Sequence, residues 1–176
     1  MEFSKMMVER QSCRTYDKTR EISKSDIDLI LTAGWLSPSA KNTQPWRFYA
    51  ARGSKKEEVA KACQDMGMNG FLNDVPLMVV VVKEKPGVVE SVVQRAYKDF
   101  RSYDIGIAIA NMVMQAKDLG IESCVIGWIN DAKMCEAIGV DKKEEIAMAV
   151  AFGYPVSNYI LRTKKRKNKE EVVKYL

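Results

Sequence analysis

Histidine is absent from this 176-residue sequence, and that absence removes a large part of enzyme chemistry. No Ser-His or Cys-His nucleophilic arrangement can form, and the commonest general acid or base is missing. Cys13, Cys63, Cys124 and Cys135 are scattered and make no C-x-x-C pair. No clustered ligand spacing therefore points to a metal. No G-x-G-x-x-G fingerprint for a dinucleotide is found either. The longest apolar run, Pro76 to Val82, falls far short of the ~20 residues a membrane helix needs. Met1 is followed by Glu2, Phe3 and Ser4, with no apolar signal segment. The expectation is a cytoplasmic chain with reduced, structural thiols, without metal or membrane. An enzyme of this composition is expected to borrow its reactive group.

What is present describes an ordinary soluble domain, 47% apolar and 29% charged, and the whole of 1–176 is expected to fold as one. The net charge of +5 is concentrated in one run, Arg162-Thr163-Lys164-Lys165-Arg166-Lys167-Asn168-Lys169. Such a run is a solvated tail, or it meets nucleic acid or a phosphorylated ligand. No aromatic residues interleave with its cations, which weakens the reading as a nucleic-acid-binding domain.

Periodicity gives the elements. Residues 3–10 read as a short helix. Ser23-Lys24-Ser25-Asp26 starts a second, with Ile27, Ile30, Leu31 and Gly34 along one side. Arg47–Ala51 reads as a strand and Lys55–Met66 as a helix, with Val59, Ala62, Cys63 and Met66 inward. Leu77–Lys83 reads as a buried strand. A helical region from about Val88 to Leu119, interrupted near Arg101, carries Ile105, Ile109, Met112, Val113 and Ala116 at 3.6-residue spacing. Ser123–Ile129 reads as a strand, Ala132–Ile138 as a helix and Ile146–Phe152 as a last strand. Strands alternating with helices predict a three-layer α/β/α sandwich.

Two segments could carry chemistry. In Arg10-Gln11-Ser12-Cys13-Arg14, extended backbone would put Arg10, Ser12 and Arg14 on one face, with neighbours roughly 6–7 Å apart. Two guanidinium forks flanking a hydroxyl suit a ligand with an anionic end and several oxygens. The plainer reading is two surface arginines after a helix. In Ser37-Pro38-Ser39-Ala40-Lys41-Asn42-Thr43-Gln44-Pro45-Trp46, two prolines stiffen a loop whose small residues leave its backbone approachable. Asn42 and Gln44 offer paired donors and acceptors that could read the edge of a heterocycle. The alternative is a helix-to-strand connection with Trp46 filling the core.

"RQSCRTYD" followed by "SPSAKNTQPWRF" resembles the two N-terminal signatures of the FMN-dependent nitroreductase family. The resemblance continues through "YDIGIAIANMVMQAKDLGIESCVIGWIN" and ends in "AFGYP" and a basic arm leading to "RKNKEEVV". It covers most of the chain and is closest to compact members, since no long helical insertion follows the central helix. The fold it implies is α+β: a mixed, largely antiparallel sheet flanked by helices, in a homodimer with residues 156–176 packing on the partner subunit. It implies FMN held by Arg10, Ser12 and Arg14, with Lys165 and Arg166 at the phosphate. Pro38, Ser39 and Ala40 would cover the ring, usually from the other subunit, and Asn42 and Gln44 complete that motif. Ile126 and Gly127 would approach the flavin by backbone alone, because Ile126 stands where many members carry an acidic residue. Asn69 and Asn73 receive no role. NADH or NADPH would supply electrons, by ping-pong, to a nitroaromatic, quinone or related acceptor. The family resemblance also leaves open another redox reaction, such as oxidation or dehalogenation, or flavin binding alone.

Overall fold

A computed structural model describes residues 2–87, 91–92 and 98–176. Its centre is β2 (Leu77–Lys83), buried along its whole length. Helices cover both of its faces, so the strand reads as a continuous apolar run rather than an alternation. Burying each of its valines contributes about 1.5–3 kcal/mol. β1 (Trp46–Ala51) pairs with one side of β2 and β4 (Glu145–Gly153) with the other; β3 (Glu122–Ile126) pairs with β4. The order is β1-β2-β4-β3, with β1 and β3 at opposite edges. These pairings are all antiparallel; among the described residues the mixture of directions is confined to one parallel bridge, Ser12 to Ser123.

Alternate residues of β2 face opposite layers. Leu77, Val79 and Val81 meet Ile27 and Ile30 of α2 (Lys24–Trp35) and Ile105, Ile109 and Met112 of α4 (Arg101–Asp118). Met78, Val80 and Val82 meet Val59 of α3 (Gly53–Ala62) and Met134 and Cys135 of α5 (Asp131–Ile138). The result is the three-layer α/β/α sandwich, with short α1 (Phe3–Glu9) and α6 (Lys169–Val172) outside it. Ser23 caps α2 by accepting from the Asp26 N–H at 3.1 Å. Gly34 lets α2 approach α4, since a Cβ there would come within 2.8 Å of Met112 Cγ.

Three boundaries differ from the sequence expectation. α3 stops at Ala62, and Met66, expected inward, sits in a left-handed turn with φ 59° and is 86% exposed. β3 ends at Ile126, because the chain turns out into solvent at Gly127 and Trp128. α4 begins only at Arg101; of the helix expected from Val88, residues 88–90 and 93–97 lie outside the described ones.

Candidate functional site

The chain leaves α1 in extended conformation at Arg10, with φ −55° and ψ 125°. From there burial alternates: Gln11 and Cys13 are buried, while Ser12 and Arg14 turn outward. This is the period-2 pattern that places Arg10, Ser12 and Arg14 on one side. The Cys13 N–H donates to the Ser123 carbonyl at 2.9 Å, pinning the segment beside β3. The segment ends at Tyr16, bridged to Pro155. A Cβ on Gly153 would come within 2.8 Å of the Tyr16 ring and 2.9 Å of Pro76, so glycine is required at the end of β4 for this crossing.

After Pro155 the chain returns along the 7–16 segment. The Val156 N–H donates to the Thr15 carbonyl. Gln11 Nε2 donates to the Ile160 carbonyl at 2.9 Å, and Arg162 Nη2 donates to the Ser12 carbonyl at 2.8 Å. Lys164 Nζ donates to the Met7 carbonyl. Between the two stretches lie two neighbouring cavities. One, of about 260 Å³, is bordered by Arg10, Ser12, Arg162, Lys164 and Arg166. The other, of about 370 Å³, is bordered by Ser12, Arg14, Asn158, Tyr159 and Arg162.

Cations here outnumber anions. Among the described residues, none of Arg10, Arg14, Arg162, Lys164 and Arg166 forms an ion pair with a carboxylate. Partial burial, then the charges of Arg10 and Arg166, push the Lys164 ammonium below its ordinary pKa. A groove lined by Arg10, Arg162, Lys164 and Arg166 without a carboxylate is complementary to a strongly anionic ligand.

The structure brings Arg10, Ser12, Arg14 and Arg166 together, and adds Arg162 and Lys164, which sequence reasoning left unassigned. Lys165 borders neither cavity and is exposed. Along the arm Arg162, Thr163, Lys164 and Arg166 border the smaller cavity, and Lys165 does not. Gln11, whose partners Ile160 and Arg162 are far away in sequence and leave no local signal, is the buried residue that holds the arm.

Ser12 is bridged to Ser123 of β3, where Ser123 and Val125 share a face, and Gly127 follows just beyond the strand's end. Val125 and Gly127 are exposed, and Met148 of β4 lies alongside, its Sδ 3.6 Å from where a Gly127 Cβ would stand. This forms a flat, apolar shelf leading away from the cationic groove. The Ile126 side chain points to the opposite layer, buried against α3 and α5, so only its backbone is available here.

The loop Pro38–Gln44 stands elsewhere. It joins α2 to β1, at the sheet edge opposite β3. Asp104 Oδ2 on α4 accepts from the Ala40 N–H at 3.2 Å, and Ser37 accepts from Asn111 at 2.8 Å. Lys41, Asn42 and Gln44 have φ of 54°, 55° and 48°, a concentration of left-handed residues that costs on the order of 1 kcal/mol each. The Gln44 N–H donates to Ser39 Oγ, and its side-chain amide donates to the Asn42 carbonyl. The loop is stiff and anchored, with Pro38, Asn42 and Gln44 exposed. Within one chain it does not meet the groove.

The sequence profile described as the Nitroreductase family matches residues 7–154. The chain belongs to the nitroreductase family. It is 29% identical to a Haemophilus influenzae protein provisionally named NAD(P)H nitroreductase, over 96% of this chain and 93% of that one. The solved structure of an FMN-dependent nitroreductase of Clostridium difficile R20291 is 25% identical and superposes with a TM-score of 0.71, covering 95% of this chain and 92% of that one. A nitroreductase family protein of Streptococcus pneumoniae TIGR4 shares the fold at TM-score 0.84 and 17% identity, covering 99% and 100%. The matched region holds Arg10, Ser12, Arg14 and Gly127, while Arg162, Lys164 and Arg166 lie beyond it.

Proposed function

We propose that this chain is an FMN-dependent oxidoreductase that takes electrons from NADH or NADPH and passes them to a nitroaromatic, quinone or related acceptor. The observation that carries the reading is the 260 Å³ cavity bordered by Arg10, Arg162, Lys164 and Arg166 without a carboxylate. A phosphate dianion is best held by several guanidinium and ammonium donors, and its arrival would offset the repulsion among them. Ser12 and Arg14, bordering the adjoining 370 Å³ cavity, are placed for the hydroxyl and carbonyl oxygens that a flavin carries beyond its phosphate. Val125, Gly127 and Met148 offer a flat apolar bed for its ring. The residues present therefore fit FMN.

FMN, when bound, supplies the hydride and electron exchange. The protein's own part is to bind, orient and exclude water. The relatives' names, FMN-dependent in one and NAD(P)H nitroreductase in another, support the same cofactor and donor. With no dinucleotide fingerprint in the sequence, nicotinamide and acceptor are taken to use one exposed ring face in turn, which is ping-pong kinetics.

The site is completed by a second copy. Arg10–Arg14 and Pro38–Gln44 stand at opposite sheet edges, so a loop that covers the ring comes from the partner of a homodimer. Tyr103, Ile107 and Ala110 on the outer side of α4 are exposed, and Gly106 between them is open. A small, apolar helix face of this kind suits close contact with a second copy.

The test is anaerobic spectroscopy. Flavin absorbance should bleach with NADH or NADPH and return when a naphthoquinone is added. Flavin that binds yet stays oxidised with both nucleotides would remove the oxidoreductase reading.

A further inference from the structure

Two adjacent stripes run along α4. Tyr103, Ile107 and Ala110 form an exposed one. Asp104, Ala108 and Asn111, one position further round, form the second, since residues at i, i+4 and i+7 share a helix face. Both polar members of the second stripe hold the loop that joins α2 to β1. Asp104 Oδ2 accepts from the Ala40 N–H at 3.2 Å, and Asn111 Nδ2 donates to Ser37 Oγ at 2.8 Å. Ser37 in turn donates to the Ala33 carbonyl at 3.0 Å, which ties the start of the loop to the end of α2.

Asp104 is the member whose presence most needs a reason. It is 6% exposed, and among the described residues it forms no ion pair. Burying a carboxylate without a counter-charge is unfavourable, and the N-terminal turn of α4 offsets only part of that. What the carboxylate does that an apolar side chain would not is accept the Ala40 amide. The loop it holds is strained, with positive φ at Lys41, Asn42 and Gln44. Bonds from the Asn42 N–H to the Ser39 carbonyl and from the Gln44 N–H to Ser39 Oγ, both 2.9 Å, fix the turn. Pro38, Asn42 and Gln44 nevertheless stay exposed. Strain of this kind persists where the surroundings over-determine it, and it clusters at ligand clamps.

We propose that Asp104 is a positioning residue for the flavin: by clamping the Ala40 amide to α4 it holds the loop preformed for the ring bound in the second copy. A loop already ordered loses less conformational freedom when the ring arrives, so the clamp strengthens binding without touching the flavin. The inference rests on the reading above, which has the loop Pro38–Gln44 cover the flavin of the other subunit.

The test compares Asp104→Ala with Asp104→Asn, whose side-chain oxygen still accepts from Ala40. FMN binding to flavin-free dimer, followed by fluorescence quenching, should weaken roughly tenfold in Asp104→Ala and stay within about threefold in Asp104→Asn. Hydrogen exchange across residues 37–45 should quicken in Asp104→Ala alone, with the dimer unchanged by light scattering. The visible circular dichroism of bound flavin, which responds to how the ring is held, should follow the same order. In the unmodified protein the Ala40 amide should exchange more slowly than that of Lys41, which donates to nothing among the described residues. That comparison needs no variant to fold. Equal exchange of the two amides, an unchanged FMN affinity in Asp104→Ala, or equal losses in both variants would overturn the clamp. So would a monomeric Asp104→Ala, since Asp104 would then serve only the contact between copies. Unmodified protein that takes up no FMN would instead remove the flavin reading, while the two amides still decide whether the clamp exists.

Discussion

The side-chain carbonyl of Gln11 accepts twice from Arg162, from its backbone N–H at 3.0 Å and from Nε at 3.2 Å. Together with the bond from Gln11 Nε2 to Ile160, one buried amide fixes the arm that carries three of the groove's cations. Gln11→Ala leaves those groups unpaired, which costs about 1–3 kcal/mol. The expected outcome is roughly tenfold weaker FMN retention and faster proteolytic clipping within residues 156–168, with the fold intact by circular dichroism.

Arg10 and Arg14 border adjoining cavities and have no carboxylate partners among the described residues. Replacing both with alanine should therefore release FMN and cost little stability. Flavin content after gel filtration, read with the denaturation midpoint, checks both halves. Full flavin retention in the double variant would contradict the groove.

Ile107→Glu places a charge on the exposed face of α4. Since Ile107 is 42% exposed within one chain, the monomer fold should tolerate it. Light scattering should show a shift from dimer to monomer, accompanied by loss of FMN. A monomer that keeps FMN at full affinity would separate the loop Pro38–Gln44 from the site.

Acid should reach Asp99 late. Three hydrogen bonds from Arg101 hold its carboxyl at about 2, with Lys83 contributing at 3.4 Å. The folded value lies below the ~3.9 of an unfolded chain. The stabilisation is therefore fully present above about pH 4 and is lost as pH falls through about 2. Asp99→Asn should flatten the urea midpoint between about pH 4 and pH 2 and lower it at neutral pH, modestly, because solvent screens this partly exposed group.

Much of this architecture was legible because it rests on local pattern. The Leu77–Lys83 run, the 3.6-residue spacing of Ile105 to Ala116 and the Gly34 contact each state their own surroundings. So did Arg10, Ser12 and Arg14, once extended backbone was assumed. Long-range contacts left no such signal. Asp104 meets Ala40, and Gln11 meets Arg162, only because the chain returns. Lys164 and Lys165 are neighbours in a basic run, and only the arm's register decides which faces the groove. Met66 fitted a helical spacing that Ala62 had already ended; its turn is held by Asp65, Asn130 and Lys133, which no local period connects.

The central claim is that the Arg10–Lys164–Arg166 groove reads a phosphate. It is tested most directly by titrating flavin-free protein with FMN and with riboflavin, followed by quenching of flavin fluorescence. Charge-assisted bonds from two or more cations should make FMN bind at least ~100-fold more tightly than riboflavin, with an affinity that falls as salt rises. Equal affinities for the two flavins would show that the groove does not hold a phosphate, and would contradict the account.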